Sequence, residues 1–209
     1  MAIDFVVRDE MPIHKGSARR QSPHIGNYSG MHVDYNGVAA WSIEGIRKRY
    51  KVYADEIGLD TVQLVPRSHT EGGRTWVYPL MEQVIERIQA GDKAAIEIGI
   101  EFIEEDEFFV FGRILKSNTA RALRGASLTK EQQKRIRERL VRMMVSGNVP
   151  HEFREYKRLL RRVGLGSLWS VLDDGVDRGN KYVMRHYDYL DRFARHTDPS
   201  EQCDIHMGK

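Results

Sequence analysis

Arginine recurs at helical spacing in two neighbouring segments of the chain. Each segment has three arginines spaced i, i+4, i+7, and the two sets are Arg135, Arg139 and Arg142, then Arg154, Arg158 and Arg161. Residues with this spacing share one face of a helix. Guanidinium groups bind phosphate through paired, charge-assisted hydrogen bonds. The spacing therefore predicts two helical faces that recognise phosphate groups.

The charge of the chain is concentrated around these arginines. Residues 111–164 contain fifteen Lys or Arg and four Asp or Glu, although the net charge of the whole chain is only +3. A localised positive field attracts polyanions regardless of the overall charge. We therefore expect a non-catalytic protein that binds nucleic acid, DNA or RNA, through a basic helical hairpin within residues 111–164.

On this hypothesis the two arginine sets contact backbone phosphates, and His151, Arg154 and Lys157 read bases. The predicted nucleic-acid-binding residues are Arg135, Arg139, Arg142, His151, Arg154, Lys157, Arg158 and Arg161. The predicted turn between the two helices, residues 146–149, has the length found in a helix-turn-helix. Phe153 and Tyr156 argue against that motif, because they are bulky for its tight helix crossing.

An acidic cluster precedes the basic segment and supports an alternative. Its members are Glu97, Glu101, Glu104, Glu105, Asp106 and Glu107. These residues can pack against the basic helices of the same chain or of a second copy. The chain would then be a helical adaptor, with a protein partner or a homodimer joined through acidic and basic faces. A third hypothesis is an enzyme whose site is assembled from dispersed residues, namely the segment 173–177, His32 and Asp34.

Motifs for catalysis or metal binding are missing from the sequence. There is no phosphate-cradling glycine loop, nucleophile elbow or zinc-protease helix. Glu97 and Glu101 are spaced to offer two oxygen ligands, but no histidine follows a glutamate by three residues, as a carboxylate-bridged dimetal site requires. We predict no catalytic residue, no metal and no cofactor, and the sequence favours a binding protein over an enzyme.

Composition indicates an ordinary globular protein with no membrane partner. Hydrophobic residues make up 41% and charged residues 30% of the chain, and Cys203 is the only cysteine. One cysteine excludes an intramolecular disulfide. No apolar run is long enough to cross a bilayer, and the first residues do not resemble a secretory signal. We expect a cytoplasmic protein.

Apolar periodicity predicts a mainly α-helical fold of stacked amphipathic hairpins. Helices are expected from Ser42 to Gly58, from Pro79 to Gly91, from Thr129 to Gly147 and from Pro150 to Gly164, with a last one carrying apolar residues from 183 to 194. Thr129 and Gln132 form a capping-box pair. The segment after Asp92 fits a helix best, and the alternative is a short β-hairpin around residues 95–115.

The remaining segments are predicted to be irregular or short strands. Residues 61–65 fit a short strand, whereas residues 66–75 and 172–180 are rich in glycine and polar residues and are predicted loops. We expect three regions, which are an irregular N-terminal arm (1–37), a single helical domain (38–196) and a frayed C-terminal tail (197–209).

Overall fold

The computed structural model describes residues 32–194, so most of the predicted arm and the whole predicted tail lie outside the described residues. Residues 32–194 form a mainly helical fold with a small three-stranded sheet, which confirms the predicted fold class. The strands are β1 (His32–Asp34), β2 (Ser68–Glu71) and β3 (Arg74–Val77). The helices are α1 (Ile43–Glu56), α2 (Met81–Gln89), α3 (Lys93–Glu105), α4 (Gly112–Gly125), α5 (Lys130–Val145), α6 (Phe153–Val163), α7 (Leu168–Gly175) and α8 (Lys181–Ala194).

The sheet lies in segments that were predicted to be irregular, because β1 belongs to the predicted arm and β2 to the predicted loop 66–75, where β3 also begins. β2 and β3 form an antiparallel hairpin within residues 68–77, and β1 pairs in parallel with β3. Gly72 and Gly73 connect the hairpin, and both have positive φ angles, +56° and +75°. Two-residue hairpin turns of this kind need that conformation, which glycine adopts at little cost. The loop prediction for 66–75 and the strand prediction for 61–65 are therefore wrong.

The segment after Asp92 is the helix α3 and not a β-hairpin. The Asp92 carboxylate accepts a hydrogen bond from the backbone N–H of Ala95 at 3.0 Å, which caps the helix. Most of the surface of α3 is buried, chiefly through its isoleucines and Phe102. The helix ends at Asp106, whose φ of +53° turns the chain away. The alternative hairpin around residues 95–115 is wrong, because residues 93–105 are helical and the segment that follows leads into α4.

Two helices appear where the sequence gave no clear helical pattern. α4 buries small and polar residues, among them Thr119, Ala120 and Ala122, and it packs against α2, α3 and α6. At Gly99 of α3 an added Cβ would lie 3.2 Å from Thr119, so small residues let these helices approach closely. α7 covers half of the predicted loop 172–180. The glycine and the aspartates of this segment lie at the C-terminal end of α7, so they did not reveal the helical turn that precedes them.

The predicted basic hairpin is formed by α5 and α6. Thr129 and Gln132 make the capping box, and Gly147, at a φ of +73°, follows the end of α5. Seven residues, 146–152, connect the two helices, whereas a helix-turn-helix uses three or four. α6 is anchored by Phe153, Tyr156 and two leucines that are fully buried. It packs against α4, α5 and α8.

Candidate nucleic-acid interface

The eight predicted binding residues lie on two helices with different neighbours. α5 carries Arg135, Arg139 and Arg142, and the other five residues belong to α6 and the turn before it. α5 packs against α3, which carries the acidic cluster, whereas α6 packs against α4 and α8. The two sets of cations therefore meet surroundings of different charge.

On α5, Arg135 and Arg139 face the carboxylates of α3 and of the residue that ends it. Arg135 forms ion pairs with Glu97 at 2.7 Å and with Glu104 at 2.5 Å. Arg139 lies 3.6 Å from Asp106. The hydrogen bond to Glu104 is the main reason that the pKa of Arg135 is raised further above its ordinary value. These two arginines are engaged within the chain, whereas Arg142 is exposed on the same helix.

The acidic cluster also binds a cation from α1. Arg49 forms ion pairs with Glu101 and with Glu105, and the indole N–H of Trp41 donates a hydrogen bond to Glu105 at 2.7 Å. Burial and a hydrogen bond to Glu101 raise the pKa of Tyr53. The glutamates considered as metal ligands thus hold guanidinium and hydroxyl groups. Among residues 32–194, no three His, Cys, Asp or Glu side chains are grouped so that they could hold a metal ion.

A buried carboxylate on α6 gathers four arginines, which we call the arginine cluster. The side chain of Glu155 is 3% exposed. Its nearest guanidinium nitrogens belong to Arg158 at 2.9 Å, Arg121 at 3.5 Å, Arg124 at 3.5 Å and Arg154 at 3.6 Å. Burial by itself raises the pKa of Glu155, but the positive field of Arg158 and Arg121 outweighs it and the pKa is lowered. Glu155 is therefore ionised at neutral pH.

One carboxylate cannot satisfy the hydrogen-bonding capacity of this cluster. Each guanidinium has five N–H donors, whereas an ionised carboxylate offers about four acceptor sites. The four arginine side chains are between 36% and 64% exposed. The exposed part of the cluster can therefore bind an anion, and the charge of the cluster is positive after Glu155 is counted.

Positive charge continues from the arginine cluster across α6 to α8. The Nζ atom of Lys157 lies 4.5 Å from the ring centre of Tyr189, and the guanidinium of Arg161 lies 4.4 Å from that of Phe193. Burial, and then the fields of Arg185, Arg158, Arg192 and Arg154, lower the pKa of Lys157. Cations from both helices therefore converge near Lys157. The basic strip, as we call it, comprises the arginine cluster together with Lys157, Arg161, Arg185 and Arg192.

The basic strip is bounded on the α2 side by a surface of mixed charge. An open groove of about 420 Å³ lies between α2 and α4, and Arg121 stands at its edge. Glu82 and Glu86 line this groove, and Arg67 forms ion pairs with both. A polyanion gains little there because the carboxylates repel it. On α8, Asp188 and Asp191 likewise reduce the positive potential, so α6 is the centre of the strip.

Sequence reasoning missed five members of this arrangement, which are Glu155, Arg121, Arg124, Arg185 and Arg192. Arg185 and Arg192 are seven residues apart on a helix that was predicted, so their shared face could have been found from spacing. Arg121 and Arg124 belong to α4, which no apolar pattern revealed. Glu155 gave a weak signal, as a single acid inside a basic helix. Its central position follows only from the packing of α4 against α6.

The dispersed residues considered for an enzyme site have separate partners. Asp34 accepts hydrogen bonds from Asn36. Asp173 accepts hydrogen bonds from Arg178 and from the hydroxyl of Tyr187. Asp34 and Asp173 therefore each have a local structural role.

Within residues 32–194 no helix combines the length and the apolar character that spanning a bilayer requires. No protein family model matches this chain, and neither does any curated protein or solved structure with which it was compared.

Proposed function

We propose that this protein is a non-catalytic nucleic-acid-binding protein whose basic strip contacts backbone phosphates. The observation that carries the proposal is the arginine cluster, in which four arginines from two helices converge on buried Glu155. The carboxylate restricts these side chains before any ligand arrives, which reduces the entropy lost on binding. Arginine pairs with phosphate through two parallel hydrogen bonds, so a preorganised cluster of this kind suits a phosphate backbone.

Arg154 and Arg158 are the residues expected to contribute most. They belong both to the arginine cluster and to the exposed face of α6. Arg161 and Lys157 extend the contact toward α8, and His151 lies in the turn that precedes α6. Arg135 and Arg139 contribute less to this proposal than the sequence indicated, because α3 already supplies their counter-charges.

The alternative of a protein partner, or a second copy, joined through acidic and basic faces has less support. Five of the six acidic residues around α3 hold a cation or a hydrogen-bond donor of the same chain: Glu97, Glu101, Glu104, Glu105 and Asp106. Binding of such a partner would break ion pairs within this chain and form new ones, and this exchange yields little net free energy.

The test compares two double charge reversals by fluorescence anisotropy with labelled DNA and RNA. Arg154→Glu/Arg158→Glu alters the basic strip. Lys48→Glu/Lys51→Glu changes the net charge equally on the exposed side of α1, a helix that does not pack against α6. We expect the wild type to bind at low salt with micromolar or tighter affinity. The strip variant should bind at least about tenfold more weakly than the wild type. The salt dependence of its affinity should correspond to the release of about two fewer ions.

The proposal is wrong if the strip variant binds like the wild type, or if the α1 variant loses as much affinity. Glutamates beside Glu155 can also destabilise α6 by repulsion. Arg154→Gln/Arg158→Gln removes the charges without adding repulsion and provides the check. Its circular dichroism should match the wild type and its free energy of unfolding should fall by no more than about 1–2 kcal/mol, while its affinity for nucleic acid remains reduced.

A further inference from the structure

One face of α8 presents aromatic rings next to the basic strip. Tyr182, Tyr189 and Phe193 are spaced i, i+7, i+11, which places them on the same side of the helix. The core-facing side carries Val183, Tyr187 and Leu190, which are buried and lie roughly 100° around the helix axis from the three rings. Tyr182 is 64% and Phe193 is 38% exposed. Part of each ring is therefore accessible to a ligand, although Arg161 lies over Phe193.

Cations accompany the rings along the whole length of the helix. Lys157 and Arg161 of α6 lie over Tyr189, at 4.5 Å and 5.6 Å from its ring centre, and Arg161 also lies over Phe193. Arg185 and Arg192 flank the rings on α8 itself, and a separation of seven residues places them about 10 Å apart along the axis. Aromatic faces and phosphate-binding groups thus alternate at the junction of α6 and α8.

We propose that the ligand of the basic strip is a single-stranded nucleic acid whose bases stack on Tyr182 and Phe193. The inference rests on the proposed function, because it needs phosphates held by the basic strip. In a duplex the faces of the bases are stacked on one another and hidden, whereas a single strand exposes them. Proteins that bind single strands combine a basic track with aromatic platforms, and each stacked base contributes substantially to affinity.

The experiment compares three labelled ligands of equal length at one salt concentration. They are a single-stranded oligonucleotide, the same strand without bases, and a duplex. The variant Tyr182→Leu/Phe193→Leu keeps apolar bulk and removes the rings. For the wild type we expect the base-containing strand to bind at least about tenfold tighter than the abasic strand. The leucine variant should bind the base-containing strand about tenfold more weakly than the wild type does, and its affinity for the abasic strand should be unchanged.

The outcomes separate this inference from the function on which it rests. Equal affinity for the two single strands, tighter binding of the duplex, or an equal loss for both strands in the leucine variant would overturn stacking. Abasic binding that is abolished by Arg154→Glu/Arg158→Glu would still support phosphate contact by the basic strip. No binding of any ligand would overturn both proposals.

Photochemical crosslinking provides a second readout that does not depend on affinity. Strands that carry 5-iodouracil react with aromatic side chains against which the base is stacked. We expect mass spectrometry to locate crosslinks at Tyr182 or Phe193 and to find them absent from the leucine variant. Crosslinks confined to other peptides would contradict the proposed placement of the bases.

Discussion

Replacing Glu155 by glutamine tests whether the carboxylate holds the arginine cluster together. Glutamine keeps the shape of the side chain and removes its charge. In the wild type, Glu155 lies within 3.6 Å of nitrogens from four arginines, and only the 2.9 Å contact with Arg158 is a short hydrogen bond. The substitution leaves four guanidinium groups close together with no counter-charge between them.

The magnitude follows from the exposure of the partners. Breaking a fully buried ion pair costs about 3–5 kcal/mol, because the remaining charge is buried and unpaired. Here the arginines are at least one third exposed, so water can solvate them and the cost is smaller. Exposed pairs contribute about 0.2–1 kcal/mol each. We expect Glu155→Gln to lower the free energy of unfolding by about 2 kcal/mol. For a domain of this size that corresponds to a fall in Tm of roughly 4–8 °C.

The pH dependence of this difference has a defined sign. The pKa of Glu155 is lowered in the fold, so its contribution is fully present above the pKa of an unfolded glutamate, about 4.3. Stability is lost as the pH falls through the still lower pKa of the folded protein. Urea unfolding of wild type and variant should therefore show a constant difference between pH 7 and pH 5, which narrows below about pH 4.

A loop carboxylate and an added anion supply the controls. Asp60→Asn removes one exposed negative charge and should change stability by less than about 0.5 kcal/mol. Inorganic phosphate can bind the exposed guanidinium groups of the cluster, which lack a counter-charge in the glutamine variant, so it should stabilise that variant more than the wild type at equal ionic strength. The reasoning fails if Glu155→Gln unfolds like the wild type, or if the difference already shrinks between pH 7 and pH 5.5.

Three further substitutions probe charges outside the strip or beside it. Arg135→Met should lower the free energy of unfolding by about 1 kcal/mol in urea titrations and leave the affinity for nucleic acid unchanged, because its carboxylate partners are on α3. Asp106→Asn keeps a side chain that tolerates positive φ but leaves the buried ammonium of Lys116 without its counter-charge. We expect Asp106→Asn to lower the free energy of unfolding by about 2 kcal/mol, and Lys116→Met in the same background should restore part of that loss. Burial, together with Lys157 and Arg185, lowers the pKa of His186 to about 4. Since the unfolded histidine takes up a proton near pH 6.5, wild-type stability should fall between pH 6.5 and pH 4, and His186→Phe should weaken that dependence; an NMR titration midpoint near 6.5 would contradict it.

Helices with strong apolar periodicity and sequence caps could be predicted from the sequence. Ser42, Asp92 and the Thr129–Gln132 pair each accept the hydrogen bonds expected of caps. The caps satisfy backbone groups within a few residues, so the information is local. The hairpin at 68–77 and α4 could not be predicted in this way. Gly72 and Gly73 fit a turn and a loop equally well, and α4 buries Thr119 where α3 approaches closely at Gly99.

The candidate site was only partly visible in the sequence for a related reason. Spacing placed Arg154, Arg158 and Arg161 on one face of a helix, and the structure keeps them there. Spacing could not show that Arg135 faces Glu97 and Glu104, because that pairing depends on the packing of α5 against α3. The paired residues are more than thirty positions apart in the sequence. The role of Glu155 depends on such packing too, because two of its partners come from α4.

Charge segregation along a chain indicates a polyanion partner only after the ion pairs closed by the fold are subtracted. The segment 111–164 has a net charge of +11, but acidic residues of α3 and Asp106 engage Arg135, Arg139 and Lys116. The basic strip comprises eight cations, four of which contact Glu155 and two of which lie on α8. For a single strand, each neutralised phosphate contributes about 0.7 to the slope of log affinity against log salt. The slope should therefore not exceed about six, and a value near eight or more would mean that the arginines paired with α3 also leave their partners to bind the ligand.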